Sequence, residues 1–176
     1  MVIRRCASTA KGNGTEITAD VLTATVTLST DRCFPRQELA VSLTLELKPG
    51  WHIYGSPGVS SDQVLELTFD SPLLEALSLD LPAPCPMALS AIGQTLPVYE
   101  GVVRASGTVR VKWSPPNRTP FMEALGAWIE PREYRINGTL RFQACRSEVC
   151  ETPQAIPFGL PLHIEAGVSR TPSPPG

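Results

Sequence analysis

The chain has 176 residues, with 15 Lys and Arg against 17 Asp and Glu and a formal net charge of −2. No block of Lys or Arg offers a phosphate-binding face, and no apolar stretch approaches the roughly 20 residues of a membrane-spanning helix, so neither nucleic acid nor direct membrane insertion is expected. The length suits one domain that buries its own core, and 18 prolines with abundant Val, Leu and Thr favour a turn-rich all-β chain.

Residues 1–16 are small, polar and glycine-containing and read as a loose tail. Their basic start lacks an apolar segment, so no secretory signal is read there. A first strand ends in clean alternation, with Leu22, Ala24, Val26 and Leu28 on one face and Thr23, Thr25 and Thr27 on the other. Leu39, Val41, Leu43, Leu45 and Leu47 keep a strict period of two, the clearest half-buried strand in the chain, and Pro49-Gly50 closes it. Trp51 to Gly58 is a short extended piece rich in aromatics, followed by a strand over 64–69 and another over 77–81. The prolines between Pro82 and Thr95 predict a long loop. Alternation resumes from Val98 to Trp113.

Thr119-Pro120 reads as an N-cap with proline at the first helical position, and Phe121, Leu125 and Trp128 share a helical face. This predicts a short helix near 120–130 packed over one end of the domain, with Trp51, Trp113 and Trp128 as core residues. From Tyr134 to Cys145, Leu140, Phe142 and Ala144 occupy one face and Arg141, Gln143 and Cys145 the other, so Cys145 points away from the core. The last strand carries Ile156, Phe158, Leu160, Leu162 and Ile164 in phase, with Pro157 and Pro161 between them. Prolines cannot donate ladder hydrogen bonds, so an edge or bulged strand is expected. The fold expectation is an all-β, immunoglobulin-like antiparallel β-sandwich spanning 17–166, with a short helical insertion and a proline-rich tail over 167–176.

Five cysteines are present: Cys6, Cys33, Cys85, Cys145 and Cys150. There is no Cys-x-x-Cys, and the two histidines, His52 and His163, have no ligand spacing to the cysteines, so neither a metal nor a cofactor is expected. Cys33 and Cys85 could pair, stay buried or be free. His52, beside Trp51, reads as a packed or surface histidine rather than a general base. Cys145 and Cys150, with four residues between them in a strand-to-strand connection, are either a redox pair or a hairpin staple. Arg146 would favour a thiolate at Cys145, while Glu148 and Glu151 would disfavour charge at Cys150.

Three segments in order carry a resemblance: Pro49-Gly50-Trp51-His52-Ile53-Tyr54, Leu96-Pro97-Val98-Tyr99-Glu100-Gly101, and Phe142-Gln143-Ala144-Cys145-x4-Cys150-x-x-Pro153. Together they resemble the N-terminal periplasmic domain of the thiol:disulfide interchange protein DsbD and related standalone domains, over roughly Val21 to Ile164. The resemblance implies a cofactor-free domain in the periplasm or another extracytoplasmic space, relaying electrons from a thioredoxin-like donor to disulfide proteins through transient mixed disulfides. It implies catalytic roles for Cys150, attacked and attacking, and for Cys145, which resolves. It also implies a cap loop over the pair, here carrying Met87, Leu89 and Ile92, with Tyr54 and Tyr99 nearby. The alternative is an immunoglobulin-like binding or structural module with an inert disulfide.

Overall fold

The computed structural model describes residues 8–11, 13–55, 63–90, 93–115, 117–147 and 149–167. In chain order its strands are β1 (Ser8–Lys11), β2 (Gly14–Thr18), β3 (Leu22–Leu28), β4 (Arg32–Cys33), β5 (Glu38–Leu47), β6 (Trp51–Tyr54), β7 (Glu66–Phe69), β8 (Ser78–Asp80), β9 (Cys85–Leu89), β10 (Gln94–Glu100) and β11 (Val102–Arg110). After helix α1 (Pro120–Ala124) come β12 (Arg132–Phe142), β13 (Ala144–Arg146), β14 (Val149–Cys150) and β15 (Gln154–Ile164). They build three sheets, ordered β1-β2-β3-β5-β11-β8, β14-β13-β6-β10-β9 and β4-β15-β12-β7. Among the described residues, these strands pair antiparallel except β4 with β15, and one isolated parallel bridge joins Tyr54 to Val64. The immunoglobulin-like β-sandwich is the fold observed.

The alternating strands supply the core. Leu39, Val41, Leu43, Leu45 and Leu47 of β5 are buried, as are Leu22, Ala24, Val26 and Leu28 of β3. Ile136, Leu140 and Phe142 of β12 and Ile156, Phe158, Leu160, Leu162 and Ile164 of β15 join them in one continuous cluster. Full burial of each Leu, Ile or Phe is worth roughly 1.5–3 kcal/mol, so this cluster outweighs any single polar contact. β15 pairs with β12 along its whole length, whereas β4 meets it only at His163 and Ile164. Among the described residues, Pro157 and Pro161 thus lie where β15 has a ladder partner on one side only, a position that tolerates a missing N–H.

Three expectations about the strands are corrected. Ser8–Lys11 and Gly14–Thr18 are strands, not tail: they form a hairpin, and β2 pairs with β3, burying Ile17. Their Ser, Thr and Gly residues leave too weak an alternation to be read. The stretch from Val98 to Trp113 is two strands in two sheets, broken at Gly101, whose φ of 63° only glycine adopts freely. The proline-punctuated 82–95 segment contains β9, which pairs with β10. β9 closes one end of its sheet, and an edge strand tolerates Pro86 because one side needs no donor.

Helix α1 starts as expected, with Thr119 Oγ1 accepting from the Met122 amide at 3.2 Å, but it covers nothing. It buries no residue, and Phe121 and Leu125 are 70% and 64% exposed. Five residues make too short an apolar face to displace water from the sandwich end. Trp113 is likewise exposed, whereas Trp51 packs against the core.

Candidate functional site

The site lies on the second sheet, where β6 runs between β10 and β13. Successive strand residues face opposite sides, and directly opposed residues of neighbouring strands share a side. Trp51, Ile53, Tyr99 and Ala144 therefore face the main core together. His52 and Tyr54 face the other way, with Val98 and Cys145. Tyr54, Val98 and Cys145 form a second, smaller apolar cluster, against which Met87, Leu89 and Leu96 pack from the β9–β10 hairpin.

Cys145 and Cys150 are directly opposed in the β13–β14 hairpin and joined by a disulfide. The two sulfurs are unequal. Cys145 is only 1% exposed and belongs to the smaller cluster, while Cys150 is exposed. Cys145 thus points off the main core, as strand phase predicts, and into a second apolar layer. The Tyr54 hydroxyl lies 3.5 Å from Cys150 Sγ. A disulfide sulfur carries no proton, so the hydroxyl donates. Ser147 takes a positive φ of 53° between Arg146 and Val149, the backbone form that lets a two-residue link close a hairpin. Two hydrogen bonds fasten the hairpin base independently of the sulfurs: Gln143 Nε2 donates to the Glu151 carbonyl at 2.8 Å, and the Glu151 amide donates to the Ala144 carbonyl at 2.9 Å.

The remaining expected site residues divide. Met87 and Leu89 lie against the Cys145 side of the bond. Ile92 and Glu148 fall outside the described residues. Tyr99 faces the main core, where its hydroxyl donates to the Pro82 carbonyl at 2.8 Å and burial raises its pKa. Arg146 pairs with Trp51 on the face opposite Cys145, alongside Gly50. The Glu151 carboxylate accepts from Gln154 Nε2 at 3.0 Å. Cys33 is buried and Cys85 exposed, both unpaired, and Cys6 lies outside the described residues. Among the described residues no cluster of His, Cys, Asp or Glu could hold a metal ion, and no helix is long and apolar enough to cross a membrane.

His52, read from the sequence as a packed or surface histidine, is 2% exposed with a buried Nε2 that makes no hydrogen bond. Burial pushes its pKa below the ordinary value, and the Glu100 carboxylate partly offsets this. Register sets Glu100, His52, Cys145 and Cys150 in one row across β10, β6, β13 and β14. Strand alternation puts His52 on the side of Tyr54, but only pairing reveals its opposite number. An open cleft of about 320 Å³ runs past this row, bordered by His52, Glu100, Met87, Leu89 and Ser147.

No protein-family model matches the sequence, and no curated protein matches it significantly. Among solved structures, the N-terminal periplasmic domain of ScsB from Proteus mirabilis superposes with a TM-score of 0.57 at 16% identity, covering 89% of this chain. The chain shares the fold of that ScsB domain. It spans 53% of the solved ScsB chain, about half its length. The N-terminal domain of Neisseria meningitidis DsbD in the reduced form gives a TM-score of 0.44 at 13% identity, over 70% of this chain and 78% of that one. At such identities the likeness to ScsB establishes architecture, and the chemistry has to be argued from the hairpin.

Proposed function

We propose that this chain is a thiol:disulfide interchange domain, passing electrons from a thioredoxin-like donor to extracytoplasmic disulfide proteins through Cys145 and Cys150. The observation that carries this reading is the asymmetry of the pair: Cys145 is buried and Cys150 is exposed. A donor thiolate attacks Cys150 Sγ in line with the bond, forming a mixed disulfide. The Cys145–Cys150 bond breaks, and its electron pair goes to Cys145. A second donor thiolate then attacks the donor's own sulfur in the mixed disulfide and releases Cys150. The donor leaves oxidised, and the chain holds two electrons and two protons as a dithiol.

In the forward step, the Cys150 thiolate attacks a target disulfide and Cys145 resolves the intermediate. The Tyr54 hydroxyl, already directed at Cys150 Sγ, stabilises that thiolate by donating to it. The β9–β10 hairpin acts as the cap, with Met87 and Leu89 keeping water and stray thiols from Cys145. An oxidised pair of this kind belongs in an extracytoplasmic compartment, where disulfides persist. The competing reading, an inert staple in a binding module, gains little from the bond. Closing so short a loop contributes roughly 2 kcal/mol, against nearly 5 for a 100-residue loop.

Equilibration with thioredoxin and glutathione buffers tests the proposal. A midpoint between about −180 and −270 mV is expected, while a pair that stays oxidised below about −300 mV would mark a staple. Cys145→Ala should trap a mixed disulfide with a thioredoxin-like protein lacking its resolving cysteine, and Cys150→Ala should not. Equal trapping by both variants contradicts the assignment of Cys150 as the attacked sulfur.

A further inference from the structure

Opening the disulfide at Cys150 leaves the electron pair on Cys145, whose surroundings cannot solvate it. Cys145 is 1% exposed and packed among Tyr54, Val98, Met87, Leu89 and Leu96. A bare thiolate there would be a buried, unpaired charge, which apolar surroundings strongly disfavour. The Tyr54 hydroxyl is committed to the other sulfur. Arg146 lies on the opposite face of the sheet. Among the described residues, the ionisable groups on this side of the sheet are Tyr54 and His52 from β6, Glu100 from β10, the free thiol of Cys85 from β9, opposite Val98, and Cys145 and Cys150 themselves.

His52 stands directly opposite Cys145 in the β6–β13 pairing. Directly opposed residues hold their Cβ atoms roughly 5 Å apart on one face, within reach of an imidazole ring. Its Nε2 is buried and without a hydrogen-bond partner while the sulfurs are joined. An orphaned buried nitrogen is costly, and a disulfide sulfur is too weak an acceptor to relieve it. Glu100 stands opposite His52 on its other side. The order across four strands is carboxylate, imidazole, inner sulfur, outer sulfur.

We infer that His52 is the proton partner of Cys145, held for that task by Glu100. This rests on the reading of the pair as an exchange site. When a thiolate bonds to Cys150 Sγ and the Cys145–Cys150 bond breaks, imidazolium Nε2–H gives its proton to Cys145 Sγ. A neutral thiol and a neutral imidazole remain, and no charge is stranded in the apolar layer. In the reverse direction neutral His52 takes the proton from Cys145 as that sulfur attacks Cys150 and expels the partner's thiolate. Glu100 favours the imidazolium that burial disfavours, so the charge that changes between the two redox forms sits on His52 beside a carboxylate instead of on Cys145.

The test is the rate of disulfide reduction by dithiothreitol from pH 5 to 9, divided by the fraction of reagent present as thiolate. No protein partner is needed. In the wild type the normalised rate should fall roughly tenfold or more as pH rises through the His52 titration. In His52→Gln the profile should be flat at the lower level, and in Glu100→Gln the step should move to lower pH. A step that survives in His52→Gln, or stays in place in Glu100→Gln, overturns the inference. Should His52→Gln fail to fold by circular dichroism, Glu100→Gln decides alone, since that residue is exposed. A disulfide that dithiothreitol reduces with a flat wild-type profile sinks the role of His52 but leaves the exchange reading standing. One that resists reduction throughout sinks both.

Discussion

Cys33 and Cys85 are the same free thiol in two environments. Cys33 is buried in the main core, where its thiol approaches the His163 carbonyl at 3.8 Å, and its pKa is raised from 9.0 to about 11, chiefly by burial and further by the Glu165 carboxylate. The folded protein therefore keeps a proton that the unfolded chain gives up. The stabilisation is complete below pH 9 and is lost as pH rises toward about 11, on the order of 2–3 kcal/mol in all. Urea denaturation at pH 8 and pH 11 should show that loss in the wild type and a smaller one in Cys33→Ala. His52 works in the opposite sense. Its folded pKa lies below the ordinary 6.5, so its share of stability is present above pH 6.5 and fades as pH falls through the folded value. Cys85, exposed on β9, should be alkylated at neutral pH within minutes while Cys33 stays unmodified, as peptide mapping by mass would show. None of this differentiation is written at the cysteines themselves, because it depends on which strands lie across from them.

Among the elements, the β9–β10 hairpin shows why a proline-rich segment is hard to read. Pro84, Pro86 and Pro97 suggest loop, yet Pro86 and Pro97 are directly opposed in a regular ladder at the end of a sheet. The hairpin's hold on the site is apolar, through Met87, Leu89 and Leu96. Replacing Met87 and Leu89 together by Ser should destabilise the fold by about 2 kcal/mol, since both are half-buried, and should speed reduction by dithiothreitol several-fold. Unchanged reduction kinetics would mean that the hairpin packs beside the cysteine pair without shielding it. Helix α1 teaches the converse. Its cap chemistry was legible at Thr119 and Pro120, but cap signals say where a helix begins and nothing about what it will touch.

Across the whole molecule, alternation told which residues share a side, while strand pairing told which side matters. Leu140, Phe142 and Ala144 keep one phase and Cys145 the other, as the sequence predicts, although the chain passes at Gln143 from one sheet to another. That passage is invisible to a period of two. The row Glu100, His52, Cys145 and Cys150 draws on three distant stretches of chain, so only register could assemble it. The tight fit of the sandwich is testable at Gly138 on β12, where an added Cβ would meet Phe158 Cζ at 2.4 Å and the Thr68 carbonyl at 2.5 Å. Gly138→Ala should cost about 3 kcal/mol or more by chemical denaturation, because neither a backbone carbonyl nor a buried ring can move aside cheaply.

The bonds from Gln143 and Glu151 at the hairpin base bear on what happens after reduction. They do not pass through the sulfurs, so breaking the disulfide leaves β13 and β14 tethered at their root. Each thiol then stays at a high effective concentration for the other, with the chain-ordering entropy already spent. A mixed disulfide at Cys150 should be cleared by its neighbour faster than any free thiol could reach it. The hairpin base works as a spring-loaded release: it sets how briefly a captured partner is held.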